Sequence, residues 1–313
     1  MFSNELLIAL LFLIAGILYP FMYSFHSPYL SETVLNYLWL FTSIFLLIEM
    51  GFLIITLIYN TIISKRNPEI MAERDYSKFC DKFNNNWKDD LKSELGRKFL
   101  HLFTCFVIFF FWTLGTILND LGVLNQWGLD NYSFSFSLTI TIGYGFVIMF
   151  QVADLARLNK FYMIPKWAKR WYRDMKQCEL DTFVASTPLV LSFTPFIFAP
   201  FPIFAAVALI TTGADAMACI IGKKYGKHSL KKSSKKTVEG FIAGGVTTFV
   251  IVLIIFLLYY PWMTKPITIE KIILMSLVAT LFFLLVDAYS KNISDNILNP
   301  FLTGFGMWII LLL

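Results

Sequence analysis

Asp215 lies about two turns from the end of a hydrophobic run. After it come Gly222, Gly226, seven lysines between Lys223 and Lys236, and Thr237-Val238-Glu239-Gly240 at the mouth of the next run. An aspartate in mid-bilayer costs roughly 2.5–3.5 kcal/mol on insertion scales, so such acids usually face a cavity or a partner. A carboxylate near phosphate oxygens suits Mg²⁺. Gly213, Gly222 and Gly226 permit close backbone approach, although Gly222-x-x-x-Gly226 is also a common helix-packing spacing. Lys235 and Lys236 precede Thr237 at a helix amino terminus, where free N–H groups and the positive end of the dipole attract anions. Lysines there add point charges for a triphosphate. Lys223, Lys224, Lys227, Lys231 and Lys232 are accounted for by anionic lipid at the membrane surface. Glu239 either holds metal or orients Lys236.

A second constellation lies upstream. Glu94, Arg97, Lys98 and His101 fall at i, i+3, i+4 and i+7, which places them on one stripe of a helix. A basic helix end that snorkels explains Arg97 and Lys98 but not an acid and a histidine in register with them. Asp154 and Arg157 form a further i, i+3 pair, for which a structural ion pair and a functional role are equally open. Glu179 and Asp181 open the next run. The connection from Asp287 to Pro300 gathers Asp287, Asn292, Asp295, Asn296 and Asn299, a set that suits a cation or helix caps. Glu49 sits alone within a long apolar run.

The elements that must position these groups are membrane helices. Of 313 residues 57% are hydrophobic and 15% charged, with a mean hydropathy of +0.66. That composition excludes an ordinary soluble domain. Four scattered cysteines and three scattered histidines suggest neither disulfides nor a zinc site. Nine spans are expected, at about 5–24, 34–63, 99–118, 134–153, 181–198, 201–221, 239–260, 270–287 and 297–313. The second is longer than a bilayer requires. All but two of the 26 basic residues fall in the connections 64–98, 154–180, 222–238 and the one holding Lys291, leaving Lys265 and Lys271. The positive-inside rule then puts the amino terminus in the cytosol and the carboxyl terminus outside. Segments 64–98 and 160–178 mix bases with aromatics, as helices lying along a membrane face do. The expected fold is an all-α, polytopic transmembrane helical bundle. Two amino-terminal spans with an amphipathic connection (1–98) precede a core (99–313).

Asp215-Ala-x-Ala, Gly222-x-x-x-Gly226 and Lys235-Lys236-Thr237-x-Glu239-Gly240 together resemble the CTP-handling loop of two related membrane enzyme groups. One is phosphatidate cytidylyltransferase. The other comprises the CTP-dependent lipid kinases acting on dolichol, phytol or diacylglycerol. Arg97-Lys98-x-x-His101 is similar to an R-K-x-x-H element of the kinases, and Asp295-Asn296-x-x-x-Pro300 to their D-N-x-x-x-P ending. The His-Gly-Gly…Asp-Arg…Asp signature of the cytidylyltransferases has no counterpart here. One departure is Ala214, where the kinases more often have glycine directly before the aspartate. The resemblance covers about 94–304, and residues 1–90 carry no motif.

The resemblance implies a kinase that phosphorylates a lipid alcohol, most like a dolichol or polyprenol kinase, at the cytosolic face. It would use CTP as donor with Mg²⁺, and no nucleic acid. It implies that Asp215, with Glu239 or Asp295, holds Mg²⁺ on the triphosphate. Lys98, Gly222, Gly226, Lys235, Lys236, Thr237 and Gly240 would line the nucleotide. Arg97 would neutralise charge at the γ-phosphate, and His101 or Asp215 would take the hydroxyl proton. Rival expectations are a cytidylyltransferase and, outside the enzymes, a transporter or lipid scaffold. A homo-oligomer and the identity of the lipid stay open.

Overall fold

A computed structural model describes residues 31–87, 91–172, 175–231, 236–259, 267–290 and 293–313. The span expected at 5–24 and the residue Lys235 lie outside them. In chain order the helices are α1 (Glu32–Arg66), α2 (Pro68–Glu73), α3 (Tyr76–Asn86), α4 (Leu91–Asp120), α5 (Asn131–Asn159), α6 (Ser186–Ser192), α7 (Phe201–Leu209), α8 (Asp215–Tyr225), α9 (Val238–Tyr259), α10 (Ile269–Tyr289) and α11 (Asp295–Leu312). Among the described residues there is no β-strand; an isolated bridge pairs Ser229 with Thr237. The all-α expectation holds. Among the described residues seven stretches are long and apolar enough to cross a membrane: α1, α4, α5, α7 continued through α8, α9, α10 and α11.

The span expected at 181–198 is corrected. Its helical part is α6 followed by a 3-10 turn at Thr194–Phe198. Pro195 has no N–H to donate and disfavours helical backbone at Thr194, so the α-helix stops at Ser192. Even together these residues reach only roughly 20 Å, against about 30 Å of hydrocarbon.

The described chain divides into two compact units that interleave along the sequence. One gathers residues 31–93 and 111–187, the other 94–110 and 188–313; α4 contributes to both.

In the first unit α1, 35 residues long, packs against α5. At roughly 52 Å it exceeds a bilayer core, and its last turns are clasped by protein. Arg74 donates from one guanidinium nitrogen to Asn60 Oδ1, Ser64 Oγ and the Tyr162 carbonyl, each at 3.0 Å. Asn67 caps α2, with Pro68 at its first position, and Asp75 caps α3. The apolar face of α3 is not laid free on the membrane. Phe79 packs 4.9 Å from the Phe161 ring, and Phe83 joins Phe161, Ile164, Tyr172 and Met175 in one core. The described residues of segment 160–178 form short 3-10 turns rather than a surface helix.

Asp154 and Arg157 hold this cap to the end of α5. Arg157 is fully buried, and its guanidinium donates to Asp154, to Tyr76 Oη at 2.8 Å and to the carbonyls of Leu180 and Thr182. The other Asp154 oxygen accepts from Val184 N–H, while Glu179 accepts from the N–H groups of Lys176 and Ala185. Burial pushes the Tyr76 phenol up to about 12, so it stays protonated and donates to the Leu180 carbonyl. Every strong donor and acceptor here meets the chain itself, which is the structural alternative for Asp154 and Arg157.

In the second unit α8, α9, α10 and α11 pack in sequence order, α8 on α9, α9 on α10, α10 on α11. Their seams are made of small residues. A Cβ on Gly240 of α9 would lie 2.5 Å from the Ala218 carbonyl and 3.0 Å from the Gly222 Cα of α8. One on Gly244 would lie 2.6 Å from the Phe283 ring of α10. Between α7 and α8 the helix widens into a π turn at Ile210–Ala214 and then returns to α at Asp215. Such turns recur at functional sites.

Candidate functional site

The stripe on α4 and the start of α8 come together in the second unit. The four residues are in register on α4 as their spacing requires, with Arg97, Lys98 and His101 buried. Glu94 pairs with Arg97 one turn on and lies 3.9 Å from Lys223 Nζ of α8. Lys98 pairs with Asp215. One turn deeper than His101, Cys105 Sγ is 3.0 Å from Thr212 Oγ1 in the π turn. Three successive contacts therefore tie α4 to the π turn and α8, with opposite charges alternating from Glu94 to Asp215. Neither Cys105 nor Thr212 stood out in the sequence; the only signal is that Cys105 follows His101 by four.

Gly222 of α8 and Gly226, which caps that helix, serve the helix seam. Gly222 lies against Gly240, and a Cβ on Gly226 would meet the Gly222 carbonyl at 2.2 Å and the Thr237 side chain at 2.5 Å. Of the two readings of Gly222-x-x-x-Gly226, close helix packing is the one seen.

The amino terminus of α9 is also occupied by the chain. Thr237 Oγ1 accepts from Gly240 N–H at 3.2 Å and its carbonyl from Phe241 N–H, while Val238 N–H donates to the His228 carbonyl at 2.9 Å. The amides of Val238 and Gly240, expected to face an anion, are thus already bonded within the protein. Glu239 meets His228 Nδ1 at 2.7 Å, not Lys236. Lys236 instead donates to Asp287 at the end of α10. Asp287 lies 51 residues further on, and no local spacing marks such a pair.

Asp295 is the first residue of α11 and accepts from Asn296 N–H at 3.0 Å. Asp215, Glu239 and Asp295 do not meet as a metal cage. Among the described residues no three His, Cys, Asp or Glu side chains stand together in that way. Each of these acids serves its own neighbour: Lys98, His228 and a helix start. A magnesium–nucleotide complex requires less, since Mg²⁺ keeps most of its water and takes one or two carboxylates beside phosphate. Asp215, only partly covered and paired with Lys98, fits that smaller demand.

Comparison with protein-family models, curated proteins and solved structures finds no match to this chain.

Proposed function

We propose that the protein is an integral-membrane, CTP-dependent kinase of a lipid alcohol, with dolichol or another polyprenol as acceptor. The observation that carries the proposal is the pairing of Lys98 on α4 with Asp215 on α8. Two motifs more than a hundred residues apart in the chain, each similar to a kinase element, become one charged cluster at the rim of two membrane helices. Phosphoryl transfer asks a protein mainly for positioning and for neutralised charge. Lys98 supplies positive charge beside Asp215, and Arg97 and Lys223 supply it around Glu94, one turn along the same stripe. Asp215 would hold Mg²⁺, which lowers the charge on the triphosphate.

The acceptor oxygen forms a bond to the γ-phosphorus while the β–γ bridging bond breaks and CDP leaves. The hydroxyl proton passes to His101 or Asp215. His101, one turn deeper into the membrane than Lys98 on the same stripe, is at a depth suited to a headgroup-level hydroxyl. A long isoprenoid alcohol stays in the bilayer and CTP in the cytosol, so a rim site serves both.

The test is transfer from labelled CTP in proteoliposomes carrying polyprenol, phytol or diacylglycerol. Label from the γ-position is expected in the lipid, with CDP released, and Asp215→Asn should abolish it while the protein still melts cooperatively. Pyrophosphate release with α-label in lipid would make the protein a cytidylyltransferase. No turnover with any acceptor, or full activity in Asp215→Asn, overturns the proposal.

A further inference from the structure

Between α8 and α9 the described residues 228–231 and 236–238 pair as two arms of a hairpin and are fastened to the carboxyl end of α10. Its own backbone is closed by Leu230 N–H on the Lys236 carbonyl and Val238 N–H on the His228 carbonyl, each at 2.9 Å. Two lysines then reach α10. Lys236 Nζ donates to both the carbonyl and the carboxylate Oδ1 of Asp287, each at 2.7 Å. Lys231 Nζ donates to the Ala288 carbonyl at 2.7 Å and lies 3.9 Å from the centre of the Tyr289 ring.

Helix carboxyl ends attract ammonium groups through unsatisfied carbonyls and the dipole, and cation–π contact adds to this. Those effects explain Lys231 completely. They do not require the Asp287 carboxylate, which gives Lys236 a full counter-charge. The covering of the pair is uneven: the Asp287 side chain is 14% exposed and that of Lys236 is 39% exposed. The ammonium borders solvent while its acid sits behind it, so an arriving anion meets the lysine first.

We propose that Asp287 is a positioning residue: it holds the Lys236 ammonium, at the foot of the hairpin and beside the α9 amino terminus, in the place from which it contacts nucleotide phosphates. This rests on the CTP-dependent kinase reading. Asp287 itself touches no nucleotide; it acts through Lys236.

The experiment compares wild type, Lys236→Ala, Asp287→Asn, Asp287→Glu and the double variant Lys236→Ala/Asp287→Asn in proteoliposomes. Asp287→Asn should raise KM for CTP roughly tenfold, with kcat within about threefold of wild type, and Asp287→Glu should stay near wild type. The double variant should be no worse than the worse single one, since both remove one interaction. Without nucleotide, trypsin should cut the hairpin several-fold faster in Lys236→Ala and Asp287→Asn than in wild type. Wild-type turnover combined with an unchanged KM in Asp287→Asn, or with additive losses, overturns the positioning role alone. A wild type that transfers nothing from CTP overturns the kinase reading, and with it the nucleotide role of Asp287. An unchanged trypsin rate in both single variants removes the latch itself.

Discussion

The Lys98–Asp215 pair is unequal in what each partner tolerates. Lys98 is almost covered, with 8% of its side chain exposed, and Asp215 keeps 19%. Removing the lysine leaves a carboxylate without its closest counter-charge where it has little water. Replacing the aspartate by asparagine leaves a carbonyl oxygen that still accepts from the ammonium. Lys98→Met should therefore cost about 3 kcal/mol, at the lower end for breaking a buried pair, and Asp215→Asn clearly less. Melting of the two variants in detergent reads the difference; losses under about 1 kcal/mol in both would mean that the pair is effectively solvated. The same residues show what the sequence could reveal. Arg97, Lys98 and His101 were legible because helical spacing alone fixes their register. The partners were not, because a contact between residues 98 and 215 depends on how α4 meets α8. Lys223 read as a lipid-facing lysine until Glu94 stood 3.9 Å away. Lys236, placed by the sequence beside a helix amino terminus, is held by Asp287, 51 residues further along the chain.

At the scale of elements, the glycines separate two roles that composition cannot. Gly213, Gly222, Gly226 and Gly240 all lie in the stretch most similar to a nucleotide loop, but only some positions lack room for a side chain. A Cβ on Gly213 would meet nothing nearer than Ile251 Cδ1 at 3.7 Å, an ordinary contact. On Gly240 it would strike backbone, which cannot rotate away. Gly213→Ala should thus change stability by less than about 1 kcal/mol, helped by the lower helix propensity of glycine. Gly240→Ala should cost about 1–3 kcal/mol as α8 and α9 are forced apart. Thermal melting again decides, and a tolerated Gly240→Ala would show the seam to be looser than these distances. Helix positions were read well from hydropathy in α1, α4, α5, α9, α10 and α11. At 181–198 the apolar run gives the length of the hydrophobic stretch but not of its helix, because Pro195 ends the helix locally whatever the surrounding hydrophobicity. The π turn before Asp215 had no sequence signal, since Ile210–Ala214 reads as ordinary apolar helix.

At the scale of the whole molecule, the short stretch at 186–198 bears on sidedness. Basic residues crowd the end of α1, the start of α4, the segment after α5 and the hairpin after α8. If all four face the cytosol, the chain must cross once between the end of α5 and the start of α7. The apolar stretch available for that crossing is α6 with its 3-10 turn. Its reach of roughly 20 Å falls short of a bilayer core taken from rim to rim. It does not begin at the rim, however. Val184 N–H is bonded to Asp154, which lies five residues, roughly 8 Å, back from the end of α5. A crossing by this stretch therefore needs that depth as well as its own reach before Ala199 and Pro200 lead into α7. Single cysteines placed in a variant lacking the four native ones should therefore sort by side. Gly128→Cys and Pro200→Cys should react with an impermeant maleimide from one face, and Gln177→Cys and Lys227→Cys from the other. If Pro200→Cys reacts together with Gln177→Cys, the stretch does not cross, and the two basic segments cannot share the cytosolic face.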